Sequence, residues 1–152
     1  MRAGEAGAAS PTGGVALLIE ERIPSQSKFR RFELHPDGSL RFGGGQVAIL
    51  HKTDWEGRPS EAELQAILDA LRDSGLRGGP PACEPRLADG DETIFTTIEY
   101  AAPDLEQMYE LEGRCPGLEA LLAALEQAKT ARFRRQMDAL PEPGKQSIRV
   151  GG

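Results

Sequence analysis

Residues 59–75 carry a full set of helix signals, and those signals constrain what the rest of the chain must do. Ser60 is an N-cap whose hydroxyl accepts from a free backbone N–H, and Glu63, three positions on, reaches back to it as a capping box. Leu64, Ile67, Leu68 and Leu71 recur at helical spacing, and Gly75 supplies the left-handed residue that ends the helix. A helix of about four turns with one apolar stripe is not stable alone in water. Another layer of the chain must cover that stripe.

The flanking segments read as that layer. Residues 15–23 begin apolar and β-branched and stop at Pro24-Ser25, consistent with a first strand. Residues 28–35 alternate strictly, which places Phe32 and Leu34 on the core face. Pro36-Asp37-Gly38-Ser39 is a strong turn signal, because proline fixes one φ and Asp-Gly accepts positive φ. Residues 39–42 are then the return arm of a hairpin. Gly43-Gly44-Gly45 reads as a bulge or hairpin loop before residues 46–52 resume an apolar strand through Val47, Ile49 and Leu50.

Residues 78–90 form a loop on composition, and residues 92–100, rich in threonine, isoleucine and aromatics, are the most strand-like run in the chain. A break at Ala102-Pro103-Asp104 leads to a hairpin partner over 106–112. Pro116 opens a second long amphipathic segment through Leu118, Leu121, Leu122, Leu125, Phe133, Met137 and Leu140, and Pro141-Glu142-Pro143-Gly144 stops it. Residues 146–150 could form one last strand. The expected fold is α+β: a single domain with a mostly antiparallel sheet packed on two amphipathic helices. Its expected parts are a disordered leader over 1–14, the domain over 15–140, and a flexible tail over 141–152 that ends in Gly-Gly.

A length of 152 residues suits one domain with tails, and a net charge of -6 argues against a general nucleic-acid or membrane-surface binder. No apolar stretch approaches the ~18 residues that a membrane helix requires. Cys83 and Cys115 stand in unrelated contexts without a C-x-x-C pair and behind no secretory signal, so a reducing cytoplasm is the simplest expectation.

Few residues suggest chemistry. His35 and His51 lie at predicted strands and away from either cysteine, so no zinc site forms locally and no metal is expected. Cys115, ahead of Pro116, is the best candidate nucleophile, since a helix N-terminus lowers a thiol pKa; without a histidine partner it reads better as a capping or buried cysteine. The three glycines lack a following Gly-Lys-Ser/Thr, which argues against a phosphate cradle. Glu20-Glu21, Glu61/Glu63 and Asp89/Asp91 are explained as strand end, helix cap and turn. Arg132, Arg134 and Arg135 read as a solvated helix face. Trp55, the sole tryptophan, reads as a loop residue anchored on the core, with partner recognition as the alternative. No enzyme and no cofactor is expected.

Two family resemblances carry functional expectations. Ser147-Ile148-Arg149-Val150-Gly151-Gly152, with the Asp37-Gly38 hairpin and the helix capped by Ser60, resembles the ubiquitin-like modifiers of β-grasp fold. That resemblance implies activation of the Gly152 carboxylate by an E1-like enzyme and transfer through an E2-like one. Gly151 would be the slender neck, and Arg149 a contact to the activating enzyme. The order strand, Asp-Gly turn, strand, capped helix, paired strands with the Glu99-Tyr100 motif, and leucine-rich helix is also similar to the emfourin-type inhibitors of thermolysin-like metalloproteases. It spans about residues 15–126 and implies a non-enzymatic protein-binding role.

Overall fold

A computed structural model describes residues 10–84 and 93–139. Among these residues six strands form one sheet: β1 (Ala16–Ile23), β2 (Lys28–Leu34), β3 (Leu40–Gly44), β4 (Trp55–Gly57), β5 (Phe95–Ala102) and β6 (Leu105–Glu112). Three α-helices join them: α1 (Gln46–Ile49), α2 (Glu61–Ser74) and α3 (Glu119–Ala139), with short 3-10 turns at Pro24–Gln26 and Pro116–Leu118. The strand order is β4-β3-β2-β1-β5-β6 and every neighbouring pair is antiparallel. This is the α+β architecture that the alternation implies.

One parity of each strand builds the core. Leu17 and Ile19 of β1, Phe32 and Leu34 of β2, Leu40 of β3, and Thr96, Ile98 and Tyr100 of β5 are buried. The α2 stripe of Leu64, Ile67 and Leu71 joins Leu118, Leu121, Leu125 and Ala128 against them in one cluster, with Leu68 and Leu122 packed at its margin. The sheet and the helix stripes therefore remove each other from water, each buried aliphatic side chain contributing roughly 1.5–3 kcal/mol.

Local signals fix the element ends. Ser60 and Glu63 make both bonds of the capping box, and Gly75 closes α2 at φ 74°. Asp37 accepts from the Ser39 N–H at 2.9 Å and the Ser39 hydroxyl at 2.7 Å, which sets the β2–β3 turn.

Three expectations about this stretch change. Residues 46–52 are not a strand: Gly45 at φ 60° turns the chain into the short helix α1, which folds back across the sheet. The glycines do not interrupt β3 either, since Gly43 and Gly44 belong to it. A Cβ on Gly43 would stand 2.3 Å from the Lys52 carbonyl oxygen, so only glycine admits this return path. Trp55 lies in a strand rather than a loop, because β4 pairs with β3 there.

Residues 10–14, expected to belong to a disordered leader, are held in place. Ser10 and Thr12 hydroxyls both donate to the Pro36 carbonyl, at 2.8 and 3.1 Å, and Thr12 is buried, so residues 10–14 are pinned to the hairpin turn. The long α3 stripe is buried only as far as Ala128, and Phe133 and Met137 stand 48% and 52% exposed. Leu140, Asp89, Asp91 and the tail residues Arg149, Gly151 and Gly152 lie outside the described residues.

The largest correction concerns the cysteines. Cys83 and Cys115 form a disulfide across a sequence separation of 32. It ties the segment after α2 to the start of the last helix, where Glu84 also bridges Arg114 and the Tyr109 hydroxyl donates to the Leu76 carbonyl at 2.7 Å. Closing a loop of this length restricts the unfolded chain and is worth about 3–4 kcal/mol. Cys83→Ser with Cys115→Ser is therefore expected to lower the unfolding free energy by about that amount in urea titration, and reduction of the native chain should match it.

Candidate functional site

The sheet face away from α2 and α3 is where polar side chains converge. Its residues follow the other parity: Leu18, Glu20 and Arg22 on β1, Phe29, Arg31 and Glu33 on β2, Thr97 and Glu99 on β5, Met108 and Glu110 on β6. The α1 segment crosses the β2–β3 side of this face, seated by buried Ala48 and by the gap at Gly43. A groove remains between Ile49 and His51 on one bank and Glu99 and Glu110 on the other, floored by Leu18, Arg22 and Thr97.

Glu20 is the centre of its charge network. Its side chain is 4% exposed yet polar partners surround it: Arg31 Nη1 at 2.6 Å, Arg22 Nη1 at 3.1 Å and His51 Nδ1 at 2.8 Å. Arg31 is directly opposite Glu20 in the β1–β2 register, which is why two residues far apart in sequence meet. Arg31 Nε also binds Glu33 at 2.7 Å, and Glu33 meets His35 at 3.1 Å. A chain of hydrogen-bonded side chains thus runs from His51 through Glu20, Arg31 and Glu33 to His35 across the face.

Burial pushes the Glu20 carboxyl upward, as the largest single influence. The hydrogen bonds and charges of His51 and Arg31 together outweigh it and hold the group below the ordinary carboxylate range. Glu33 follows the same pattern, with Arg31 and His35 overcoming its desolvation. The guanidinium of Arg31, between the two carboxylates, is raised. His51 reaches Glu20 from a left-handed backbone at φ 61°, a conformation that costs a non-glycine residue energy and that the contact helps to hold.

The residues singled out as chemical candidates do not come together. Cys115 is consumed by the disulfide and is buried, so the nucleophile suggested by its place before Pro116 is withdrawn. The two histidines are brought onto one face, both against carboxylates and neither against a cysteine. Among the described residues no three His, Cys, Asp or Glu side chains are grouped to hold a metal. Arg132 and Arg135 are not a purely solvated cluster, since both meet the capping carboxylate of Glu63, at 3.4 and 2.7 Å. That pairing links the start of α2 to α3.

Trp55 sits on the opposite, helix side of the sheet. It faces Phe42 in the register, its ring lies where a side chain on Gly57 would be, and its Nε1 donates to Gln136 Oε1 at 3.1 Å. Sequence reasoning missed Glu20 as a central residue by treating Glu20-Glu21 as a strand end. The available signal was an acidic residue on the outward parity of an apolar strand, opposite an arginine of the same parity in the next strand.

No protein-family model matches the sequence, and no curated protein matches it. No helix among the described residues is long and apolar enough to cross a membrane.

The lowered carboxylates have a pH consequence of definite sign. Their contribution to stability is complete above the pH at which a free glutamate ionises, about 4.3, and is lost as pH falls toward their lower folded values. Glu20→Gln is expected to destabilise the neutral-pH protein by about 3 kcal/mol, because it leaves buried arginine charge less compensated. The same substitution should flatten the loss of melting temperature between pH 5 and pH 3. An unchanged acid limb in calorimetry would show that Glu20 does not carry it.

Proposed function

We propose that this chain is a non-enzymatic protein-binding module of the emfourin-like kind, with a thermolysin-like metalloprotease as its partner class. The observation that carries this reading is the open groove on the outer sheet face. It offers Leu18 on its floor and Ile49 on one bank, with Leu50 and Met108 exposed nearby, beside the paired charges of Glu20 and Arg31. Such a surface suits docking, where apolar contact supplies energy and fixed charge supplies register, better than it suits turnover. The element order of strands, capped helix, hairpin and terminal helix supports the same family resemblance.

The compartment reading changes with the cysteines. Cytoplasmic placement rested on two cysteines in unrelated contexts, without a C-x-x-C pair and behind no secretory signal, whereas a disulfide is favoured by an oxidising compartment, where a secreted protease also works. We therefore place the protein outside the reducing cytoplasm.

Titration of the purified chain into a thermolysin-like protease should abolish cleavage of a fluorogenic peptide stoichiometrically. Ile49→Glu and Met108→Glu, both at exposed positions, should each weaken inhibition about tenfold, or roughly 1.4 kcal/mol, without changing the melting temperature. Full protease activity at saturating concentrations of the chain would sink the inhibitor reading.

The modifier reading keeps one specific observation, the run Ser147-Ile148-Arg149-Val150-Gly151-Gly152. Incubation with E1-like and E2-like enzymes should then yield adducts bearing a Gly151-Gly152 remnant by mass spectrometry. Equal signal from a chain lacking Gly152 would remove it.

A further inference from the structure

The two edges of the sheet are built differently. At one end of the strand order β4 spans three residues, and its Glu56 carbonyl already accepts from Gln136 of α3 at 3.5 Å. At the other end β6 runs for eight residues, and among the described residues β5 is its only strand partner.

The register identifies which backbone groups of β6 stand open. The Gly113 N–H donates to the Ile94 carbonyl at 2.8 Å, in line with the β5–β6 pairing. Backbone groups alternate sides along an antiparallel strand, so those of Leu105, Gln107, Tyr109 and Leu111 bond β5. The N–H and C=O groups of Glu106, Met108, Glu110 and Glu112 point away from β5 and have no partner among the described residues. A long edge of this kind is a template for another strand.

We propose that the β6 edge takes up an extended segment of a partner protein by strand addition, and that this segment alternates basic with apolar residues. Glu106, Glu110 and Glu112 are exposed on the outer face, where Glu99 joins them opposite Met108. None of these four carboxylates holds an ion pair among the described residues, whereas Glu20 and Glu33 on the same face are both bound by Arg31. Residues of an added strand that lie opposite the glutamates share their face, and lysine or arginine there gains cross-strand pairs. The intervening residues fall on the helix side, beside the partly buried Leu105, Tyr109 and Leu111, which favours apolar side chains.

The same charges disfavour a second copy as the occupant. Two β6 strands related by a two-fold at Met108 set Glu106 against Glu110, and a two-fold at Tyr109 sets Glu106 against Glu112. The edge adjoins the proposed protease-binding groove through Glu110, but strand addition does not rest on the partner being a protease.

The test uses the full chain, isotope-labelled for NMR, and a capped synthetic peptide that alternates lysine and valine over the length of β6. Binding should slow hydrogen exchange about tenfold at the outward amides of Glu106, Met108, Glu110 and Glu112. Met108→Pro removes an outward N–H that no strand of the fold uses, so the urea midpoint should hold while peptide affinity falls about tenfold. Replacing Glu106, Glu110 and Glu112 together by glutamine should cost about tenfold in affinity and most of its salt dependence. Resonance shifts on the outer face without amide protection would reduce the contact to charge adsorption and overturn strand addition. So would unchanged affinity in Met108→Pro, or equal affinity for a peptide with the same lysines and valines in two blocks. Protection that rises with protein concentration in the absence of peptide gives the edge to a second copy and also overturns the proposal. None of these readouts involves a protease.

Discussion

One-sided burial governs this molecule. Each strand of the sheet places one parity against α2 and α3, and the apolar residues on that parity, from Leu17 to Ile98, find no other way to leave water. Once that layer is fixed, the opposite parity must meet solvent or be satisfied by polar partners. The outer face resolves this differently along its width. Over β1 and β2 it is knitted by Glu20, Arg31 and Glu33, whereas toward β5 and β6 it remains open. Function is proposed for the open part because the closed part has already spent its charges on itself.

The buried carboxylate of Glu20 shows how strand register creates a site. A charge removed from water at this depth is tolerable only with several donors in place, and the β1–β2 pairing, the α1 return and the left-handed His51 supply them from three directions. The short α1 segment therefore has two roles: it shields Glu20, and its Ile49 forms one bank of the groove. Both depend on the absence of a side chain at Gly43.

What could be read from the sequence was whatever local chemistry decides. The capping box of Ser60 and Glu63, the Asp37-Gly38 turn and the alternation around Phe32 and Leu34 act within a few residues, and each takes its expected form. The α1 segment was illegible because Val47 and Ile49 alternate like a strand, while the decisive contact, Gly43 against Lys52, exists only after the chain has folded back. The disulfide was illegible because 32 residues separate the cysteines and only the seating of the loop after α2 brings them together. Phe133 and Met137 continue the helical period of α3, but period reports a face and not what lies opposite. Glu20 was visible as a residue and invisible as a site, since its partners lie 2, 11 and 31 positions away.

The crosslink between Cys83 and Cys115 also encloses the whole β5–β6 hairpin within a covalent ring. A peptide bond cut anywhere between those two positions leaves both products joined through sulfur, and the hairpin still has its register with the neighbour strand β1 on the N-terminal side of the ring. For a chain proposed to sit against a protease, a single scission in that span opens the ring without shedding a fragment. A second scission, or reduction of the disulfide, would be needed before its covalent parts could separate.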